Sequence, residues 1–266
     1  MDNRRSITDA GRYEGYIFDL DGVVWLGTDP VPGVADAINA LRRAGRRVRF
    51  LTNNASQHRQ TQREKLLSMG VEAELSEVLT SASTAAMALS RKFGSCKVHV
   101  MGTEDLKREI RDAGHTLVER NADWVVVGYD REFSYQKLCQ AFQNIYFDQA
   151  KFLACNENPL LPTEEGFMPG IGPSVAALAC CTGKSPDWVT GKPHETIFSL
   201  TLESIGLPAA SCAMVADVLD LDIHGAQQVG IDGIFVLTGV HNEQDIERMR
   251  IVPKHILPSA ANLCAC

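Results

Sequence analysis

Short apolar runs alternate with amphipathic stretches along most of the chain. The runs have the length of strands buried in a parallel sheet, and the amphipathic stretches have the spacing of helices that cover such a sheet. Strands are predicted at residues 16–18, 48–51, 77–80, 98–101, 124–127, 152–155, 212–216 and 233–237. Helices are predicted at 34–44, 60–69, 83–93, 104–113, 135–147, 174–181 and 193–205, and a further helix is ended by Gly230. The alternation predicts an α/β fold with parallel strands and crossover helices.

The first apolar run ends abruptly in Asp19 and Asp21, which are followed by Gly22. In open α/β sheets, ligands bind beyond the carboxyl ends of the strands, where these two carboxylates should lie. Two like charges about 4 Å apart repel by about 4 kcal/mol at an effective dielectric constant near 20, so a cation should share their site. Taken alone, the pair could equally be turn-forming residues after a strand.

Polar residues recur at three other predicted strand ends or helix starts. Thr52 and Asn53 follow the second strand, Lys192 precedes a predicted helix, and several acids from Asp217 to Asp222 follow a late strand. These positions together supply a nucleophile, an acid, a hydroxyl, a cation and further carboxylates. The combination suits metal-assisted phosphoryl transfer, because an aspartate can attack phosphorus while a divalent cation binds carboxylate and phosphate oxygens.

The middle of the chain keeps the alternation of strands and helices but lacks acidic strand ends. We therefore predict a core made of residues 1–80 and 184–266. Residues 81–183 are predicted to form a separate α/β module inserted into that core.

Composition narrows the choice of partner. The chain has 266 residues and a formal net charge of −7. This charge argues against nucleic-acid binding, which depends on lysine and arginine to neutralise phosphates. The first residues lack the apolar segment of a signal peptide, and no segment reaches transmembrane length, so we expect a cytoplasmic protein with no membrane role and a small-molecule partner.

The eight cysteines are expected to be reduced thiols, because no secretory signal accompanies them. Cys264 and Cys266 could bind a metal or oxidise. An incidental exposed pair near the end of the chain is the favoured interpretation.

The chain resembles phosphatases of the haloacid dehalogenase superfamily, and within it the NagD or 4-nitrophenylphosphatase branch. Four ordered motifs that span nearly the whole chain carry the resemblance: Asp-Leu-Asp-Gly-Val at 19–23, Leu-Thr-Asn-Asn at 51–54, Gly-Lys-Pro at 191–193, and the acidic segment 217–222, continued by Gly-Ile-Asp at 230–232 and Val-Leu-Thr-Gly-Val at 236–240. One such motif is weak evidence, whereas four in order are specific. The resemblance implies a doubly wound, Rossmann-like core with a large inserted α/β cap of the C2 type.

The resemblance also implies Mg²⁺-dependent hydrolysis of small phosphate monoesters through an aspartyl-phosphate intermediate. It makes Asp19 the nucleophile and Asp21 the general acid and base. Thr52 would bind phosphate through its hydroxyl and Asn53 through its backbone amide. Lys192 would bridge Asp19 and the phosphate, neutralising charge in the transition state.

The implied magnesium ligands are Asp19, the backbone carbonyl of Asp21, and Asp217. Asp222 would orient metal-bound water or the lysine. The aspartate at position 21 favours phosphate-ester hydrolysis or a mutase over dehalogenation. Hydrolysis comes first, because the sequence shows no mark of the bisphosphorylated activator that a mutase normally needs.

Two residues depart from the family's metal-binding motif, which usually begins Gly-Asp and carries a threonine before the last aspartate. Here Ala216 and Leu221 occupy those positions. The departures motivate an alternative from another class: a phosphate-binding or acyl-phosphate regulatory module with little turnover.

The sequence does not choose among nucleotides, sugar phosphates and other small organic phosphates. Cap residues Tyr129, Asn156 and Asn158 are candidates to face the leaving group, and the cap could mediate a homodimer. Trp25, just beyond the aspartates, could pack under the cap or simply belong to the core.

Overall fold

The structure, a computed structural model, describes residues 10–163 and 166–264 of the chain. Cys266, and with it the pair predicted with Cys264, lies outside the described residues.

Strands and helices alternate along the described chain. The strands are β1 Gly15–Phe18, β2 Trp25–Leu26, β3 Asp29–Pro30, β4 Arg47–Thr52, β5 Val78–Thr80, β6 Lys97–Met101, β7 Thr116–Leu117, β8 Trp124–Val127, β9 Lys151–Ala154, β10 Leu160–Thr163, β11 Gly166–Pro169, β12 Trp188–Val189, β13 Cys212–Ala216, β14 Asp232–Val236 and β15 His255–Leu257. The α-helices are α1 Val34–Arg43, α2 Arg59–Ser68, α3 Ser81–Phe93, α4 Glu104–Asp112, α5 Tyr135–Tyr146, α6 Gly172–Thr182, α7 Glu195–Ile205, α8 His224–Gln228 and α9 Glu243–Met249. Leu219–Ile223 forms one π-helical turn.

The chain divides into two compact units. The first takes the chain up to Thr52, Gln62–Leu79, and everything from Phe198 onward. Its six-stranded sheet has the order β15-β14-β13-β1-β4-β5, and β1 pairs in parallel with both β13 and β4. All four residues of β1 are buried. Whatever follows β1 therefore lies in the middle of the sheet's carboxyl edge.

Helix α1 shows how the sequence pattern forms this unit. Its buried residues, Val34, Ala37, Ile38 and Leu41, recur at helical spacing on one face. After the helix ends, Gly45 adopts a φ of 78°, a left-handed conformation that glycine enters without steric cost.

The second unit takes Asn53–Thr61 and Thr80–Ile197. Its five-stranded sheet has the order β12-β9-β8-β6-β7 with all neighbours parallel, and β10 and β11 form a separate antiparallel pair. Residues 53–61 and 184–197 pack in this unit, whereas the sequence analysis placed them with the core. The functional division into core and cap stays a prediction.

A cluster of ionisable side chains, of which His58 and Glu109 are buried, links residues 53–61 to helix α4 within the second unit. His58 Nε2 lies 3.4 Å from Glu109 Oε1 and 3.1 Å from Asp112 Oδ2. The backbone N–H of Arg59 donates to Glu109 Oε1 at 2.7 Å, and Arg59 Nε lies 3.4 Å from Glu109 Oε2. Burial is the largest cause of a raised pKa at Glu109, although the Arg59 N–H and the neighbouring cations oppose it.

The α/β fold with parallel sheets is confirmed. The helix predicted from residue 193 begins instead at Glu195, because 191–194 form a turn in which the N–H of His194 donates to the carbonyl of Gly191 at 3.0 Å. The predicted elements did not include α9 or the short strands β2, β3, β7, β10, β11, β12 and β15. No helix among the described residues is long and apolar enough to cross a membrane.

Candidate active site

Three of the predicted site residues lie at the carboxyl edge of the first sheet. Asp19 follows β1, and its N–H donates to the carbonyl of Val215 in β13 at 3.0 Å. Thr52 ends β4, and Asp217 directly follows β13. Only 5% of Asp19, 3% of Thr52 and none of Asp217 is exposed to solvent. Parallel pairing of three adjacent strands thus brings together residues that are far apart in sequence.

The carboxylate of Asp217 lies directly against the loop of residues 19–23, which is called the aspartate loop below. A Cβ atom added to Gly22 would come within 2.2 Å of Asp217 Oδ2, and one added to Gly239 would come within 1.8 Å. The N–H of Val240 donates to the same oxygen at 2.7 Å, and the Thr238 hydroxyl donates to the carbonyl of Gly22 at 2.6 Å. The first and fourth sequence motifs therefore meet at two positions where only glycine leaves room.

Asp21 is exposed and hydrogen-bonded to a tryptophan. The indole N–H of Trp25 donates to Asp21 Oδ1 at 2.8 Å, while the N–H of Gly22 donates to the carbonyl of Trp25 at 2.8 Å. Trp25 itself is 1% exposed and belongs to the core of the first unit. Sequence reasoning left Trp25 between two packing roles and missed this contact. The sequence did carry a signal for this contact, because Trp25 has an N–H donor and stands four residues after the candidate acid Asp21.

The acidic segment after β13 separates into buried and exposed members. Asp222 lies in the π-helical turn and is fully buried, whereas Asp220 is exposed. Ala216, the last residue of β13, is fully buried, and Leu221 is half-buried within the turn. The buried aspartates are thus those to which the sequence assigned metal-related roles.

The donors of the first unit fit a hard divalent cation. Asp19 and Asp217 offer carboxylate oxygens, and Asp21 offers a backbone carbonyl oxygen, which together are the donor type that Mg²⁺ prefers. Among residues 10–163 and 166–264, no three His, Cys, Asp or Glu side chains group closely enough to hold a metal ion on their own. A cation held here would therefore need at least one ligand besides these side chains, such as the backbone carbonyl of Asp21.

Lys192 and Asn53 come together in the second unit. The N–H of Lys192 donates to Asn53 Oδ1 at 2.8 Å, and Asn53 Nδ2 donates back to the carbonyl of Lys192 at 2.9 Å. A Cβ on Gly191 would lie 2.8 Å from Asn53 Oδ1, so the backbone must approach this side chain closely. Lys192 is 3% exposed. The Asn53 side chain therefore fixes the backbone of the predicted catalytic lysine. The phosphate-binding role of the Asn53 backbone amide stays a prediction.

The predicted specificity residues of the second unit differ in their surroundings. Asn156 is 2% exposed, and its Nδ2 donates to the carbonyl of Asn53 at 2.7 Å. The N–H of Asn158 donates to Asn156 Oδ1 at 3.1 Å. Tyr129 is half-buried against the apolar core of this unit. Asn156 thus has a structural task in shaping the Asn53 turn, and the specificity role of all three stays a prediction.

Cys155, which stands before Asn156, is fully buried. Burial raises the pKa of its thiol to about 12. Cys155 therefore acts as a small neutral side chain and not as a nucleophile.

Known proteins are similar to this chain over most of its length. The profile of haloacid dehalogenase-like hydrolases matches residues 16–116, and a second profile of the same superfamily matches residues 189–263. An acid sugar phosphatase of Staphylococcus epidermidis is 35% identical over 244 residues, which cover 91% of this chain and 93% of the relative.

Two solved structures are also similar over most of their length. The p-nitrophenyl phosphatase of Archaeoglobus fulgidus superimposes with a TM-score of 0.90 at 31% identity, covering 96% of this chain and 99% of that one. The 4-nitrophenylphosphatase of Thermotoga maritima superimposes with a TM-score of 0.92 at 30% identity, covering 98% and 99%.

Proposed function

Because the chain belongs to the haloacid dehalogenase-like hydrolase family, as a phosphomonoesterase of its NagD and 4-nitrophenylphosphatase branch, we propose that it hydrolyses small phosphate monoesters with Mg²⁺ and with Asp19 as a transient phosphoryl carrier. The contact of the Gly22 backbone with the Asp217 carboxylate is the observation that supports this most directly. It unites the nucleophile's loop with the acid proposed to bind the metal.

In the first proposed step, a carboxylate oxygen of Asp19 attacks the phosphorus of the substrate. The bond between phosphorus and the ester oxygen breaks, and the departing alkoxide takes a proton from the carboxyl group of Asp21. Asp19 is suited to attack because it is buried at the sheet edge with its backbone held by Val215. Asp21 is suited to proton transfer because it is exposed to solvent, where a substrate can reach it.

In the second proposed step, the carboxylate of Asp21 removes a proton from water, and the resulting hydroxide attacks the phosphorus of the aspartyl phosphate. Inorganic phosphate leaves, and the carboxylate of Asp19 is regenerated. Bound Mg²⁺ would offset negative charge among Asp19, Asp217 and the phosphate oxygens. Thr52 would bind a phosphate oxygen, and Lys192 would neutralise charge that builds on the transferring group.

Sugar phosphates are the first substrates to examine. The relative from Staphylococcus epidermidis is named for that class, and the two solved neighbours are named for a synthetic nitrophenyl ester. We infer a physiological substrate with an alcohol leaving group and a single phosphate, and propose 4-nitrophenyl phosphate as a reporter.

Phosphate release from these two substrate classes, with and without Mg²⁺, tests the proposal. Asp19→Asn should abolish turnover in a folded protein, because the amide cannot serve as a nucleophile. Asp29→Asn is the matched control, since Asp29 is an exposed residue of β3. The absence of Mg²⁺-dependent release from a broad ester panel would instead favour the phosphate-binding module without turnover.

The metal role of Asp217 has its own control in the same segment. Asp217→Asn should raise the Mg²⁺ concentration needed for half-maximal rate, because a carboxylate ligand becomes neutral. Asp220→Asn should leave the titration unchanged, since Asp220 is exposed. Equal titrations for the two variants would remove Asp217 from the ligand set.

The covalent intermediate can be trapped with Asp21→Asn. This variant can still expel 4-nitrophenolate, which leaves without a proton, but it cannot activate water. We expect one equivalent of 4-nitrophenolate in a burst and a phosphoryl group on Asp19 that hydroxylamine removes. A burst without modified Asp19 would refute the nucleophile assignment.

A further inference from the structure

We propose that Trp25 is a positioning residue for proton transfer, which fixes the carboxyl group of Asp21 so that Oδ2, and not Oδ1, carries the proton given to the leaving group. The inference rests on the proposed function of Asp21. Its basis is the 2.8 Å hydrogen bond from the indole N–H of Trp25 to Asp21 Oδ1.

The chemistry of the indole and the carboxyl group decides which oxygen of Asp21 carries the proton. An indole nitrogen can only donate a hydrogen bond. The oxygen that faces it must therefore be an acceptor, and a proton on the same oxygen would point its O–H at another N–H. As long as this contact holds, the transferable proton belongs on Oδ2. The contact also restricts the rotation of a side chain that is otherwise exposed.

Two backbone contacts and a cation over the ring hold the Trp25 indole in position. Its residue pairs with Pro30 in the short β2–β3 hairpin, and its carbonyl accepts from the N–H of Gly22 at 2.8 Å. The ammonium of Lys65 lies 4.1 Å from the centre of the indole ring, and also donates to the carbonyl of Gly27 at 2.8 Å. A cation over the ring face holds the indole plane, while the ring edge is directed at Asp21. The donor is thus set in place before substrate arrives.

Kinetics with two leaving groups separates positioning from packing. The ratio kcat/KM covers every step up to departure of the leaving group, so it reports the proton donated to that group. An alkoxide needs this proton, whereas 4-nitrophenolate does not. For Trp25→Phe we expect kcat/KM to fall about tenfold or more on a sugar phosphate and less than about threefold on 4-nitrophenyl phosphate.

On 4-nitrophenyl phosphate, kcat and KM should fall together, because the same carboxyl group activates water in the second step. Trp124→Phe is the control for loss of a buried tryptophan. It should leave kcat/KM unchanged on both the sugar phosphate and 4-nitrophenyl phosphate. Replacement of Trp25 by benzothienylalanine keeps the ring shape but lacks the N–H. This enzyme should behave like Trp25→Phe, and a wild-type ratio in it would overturn the proposal. A loss of equal size on both substrates would also overturn it, since it would indicate packing alone.

A spectroscopic test needs neither turnover nor metal. The chain has three tryptophans, so its nitrogen-15 spectrum should show three indole N–H signals, and the signal missing from Trp25→Phe identifies Trp25. In Asp21→Ala that signal should move upfield, because its acceptor is gone, while the signals of Trp124 and Trp188 stay in place and report an intact fold. An unmoved Trp25 signal would refute the contact. If the wild-type protein hydrolysed no phosphate ester, the proposed function would fail, and this spectrum would still decide whether Trp25 holds Asp21.

Discussion

Replacement of Gly22 by alanine should displace the Asp217 carboxylate, and the distances in the structure give the size of that displacement. Gly22 has a φ of +81°, and an added Cβ would lie 2.2 Å from Asp217 Oδ2 and 2.5 Å from its Cγ. Carbon atoms in ordinary contact stay about 3.5 Å or more from their neighbours. The carboxylate or the loop would therefore have to move by about 1 Å.

Two separate costs contribute to the loss of stability. A left-handed conformation costs a residue with a Cβ about 1–2 kcal/mol, and overpacking in a closed site costs about 1–3 kcal/mol. We therefore expect Gly22→Ala to lower the free energy of unfolding by about 2–5 kcal/mol. Gly45→Ala isolates the first cost, because Gly45 has a φ of +78° and nothing within 4 Å of its added Cβ. Its loss should be about 1–2 kcal/mol.

Urea unfolding measures the two stabilities, and a Mg²⁺ titration of the initial rate measures the displacement of Asp217. A shift of about 1 Å in a positioned group can cost about a hundredfold in rate. At limiting Mg²⁺ we expect Gly22→Ala to lose about tenfold to a hundredfold in kcat/KM, while Gly45→Ala keeps the wild-type titration. If the two variants lost the same stability and shared one titration curve, Gly22 would not be holding the site open for Asp217.

Two further predictions concern the second unit. Burial raises the pKa of Glu109, so its contribution to stability is full below the ordinary glutamate pKa of 4.5 and is lost as pH rises through the raised pKa. The free energy of unfolding of the wild type, measured relative to Glu109→Gln by urea unfolding, should therefore fall across that pH window. A difference that does not change with pH would contradict this prediction. Iodoacetamide at pH 8 should alkylate the exposed Cys180 in the native protein and spare Cys155, because Cys155 is buried and its pKa is raised to about 12. Rapid native-state labelling of Cys155, detected by peptide mass, would show that the second unit is not packed as described.

The sequence predicted the strands that lie inside the two sheets better than those at their edges. β8 and β13 are wholly buried, so their apolar runs stand out without any knowledge of their neighbours. β12 has two half-buried residues, and β15 alternates buried and exposed positions over only three residues. Such edge strands are defined by backbone pairing with β9 and β14, which the local sequence does not reveal.

The candidate site was predictable in its residue types but not in its contacts. Asp19 and Asp217 could be expected at one sheet edge, since each follows an apolar strand, and the described strands place them there. The contact of Asp217 with Gly22 and Gly239 depends on how two loops fold back, which strand prediction does not address. The turn that carries Trp25 back to Asp21 is likewise formed by backbone hydrogen bonds within a loop.

Three contacts of the Gly22 backbone connect the loop that carries Asp19 and Asp21 to Asp217. Its N–H donates to the carbonyl of Trp25, which holds the indole that hydrogen-bonds Asp21. Its Cα lies against the carboxylate of Asp217, and its carbonyl accepts from the hydroxyl of Thr238. Only a residue without a side chain satisfies all three at a φ of +81°. The orientation of the proposed proton donor and the placement of the proposed metal ligand therefore depend on one backbone position, and a change there should disturb both halves of the reaction together.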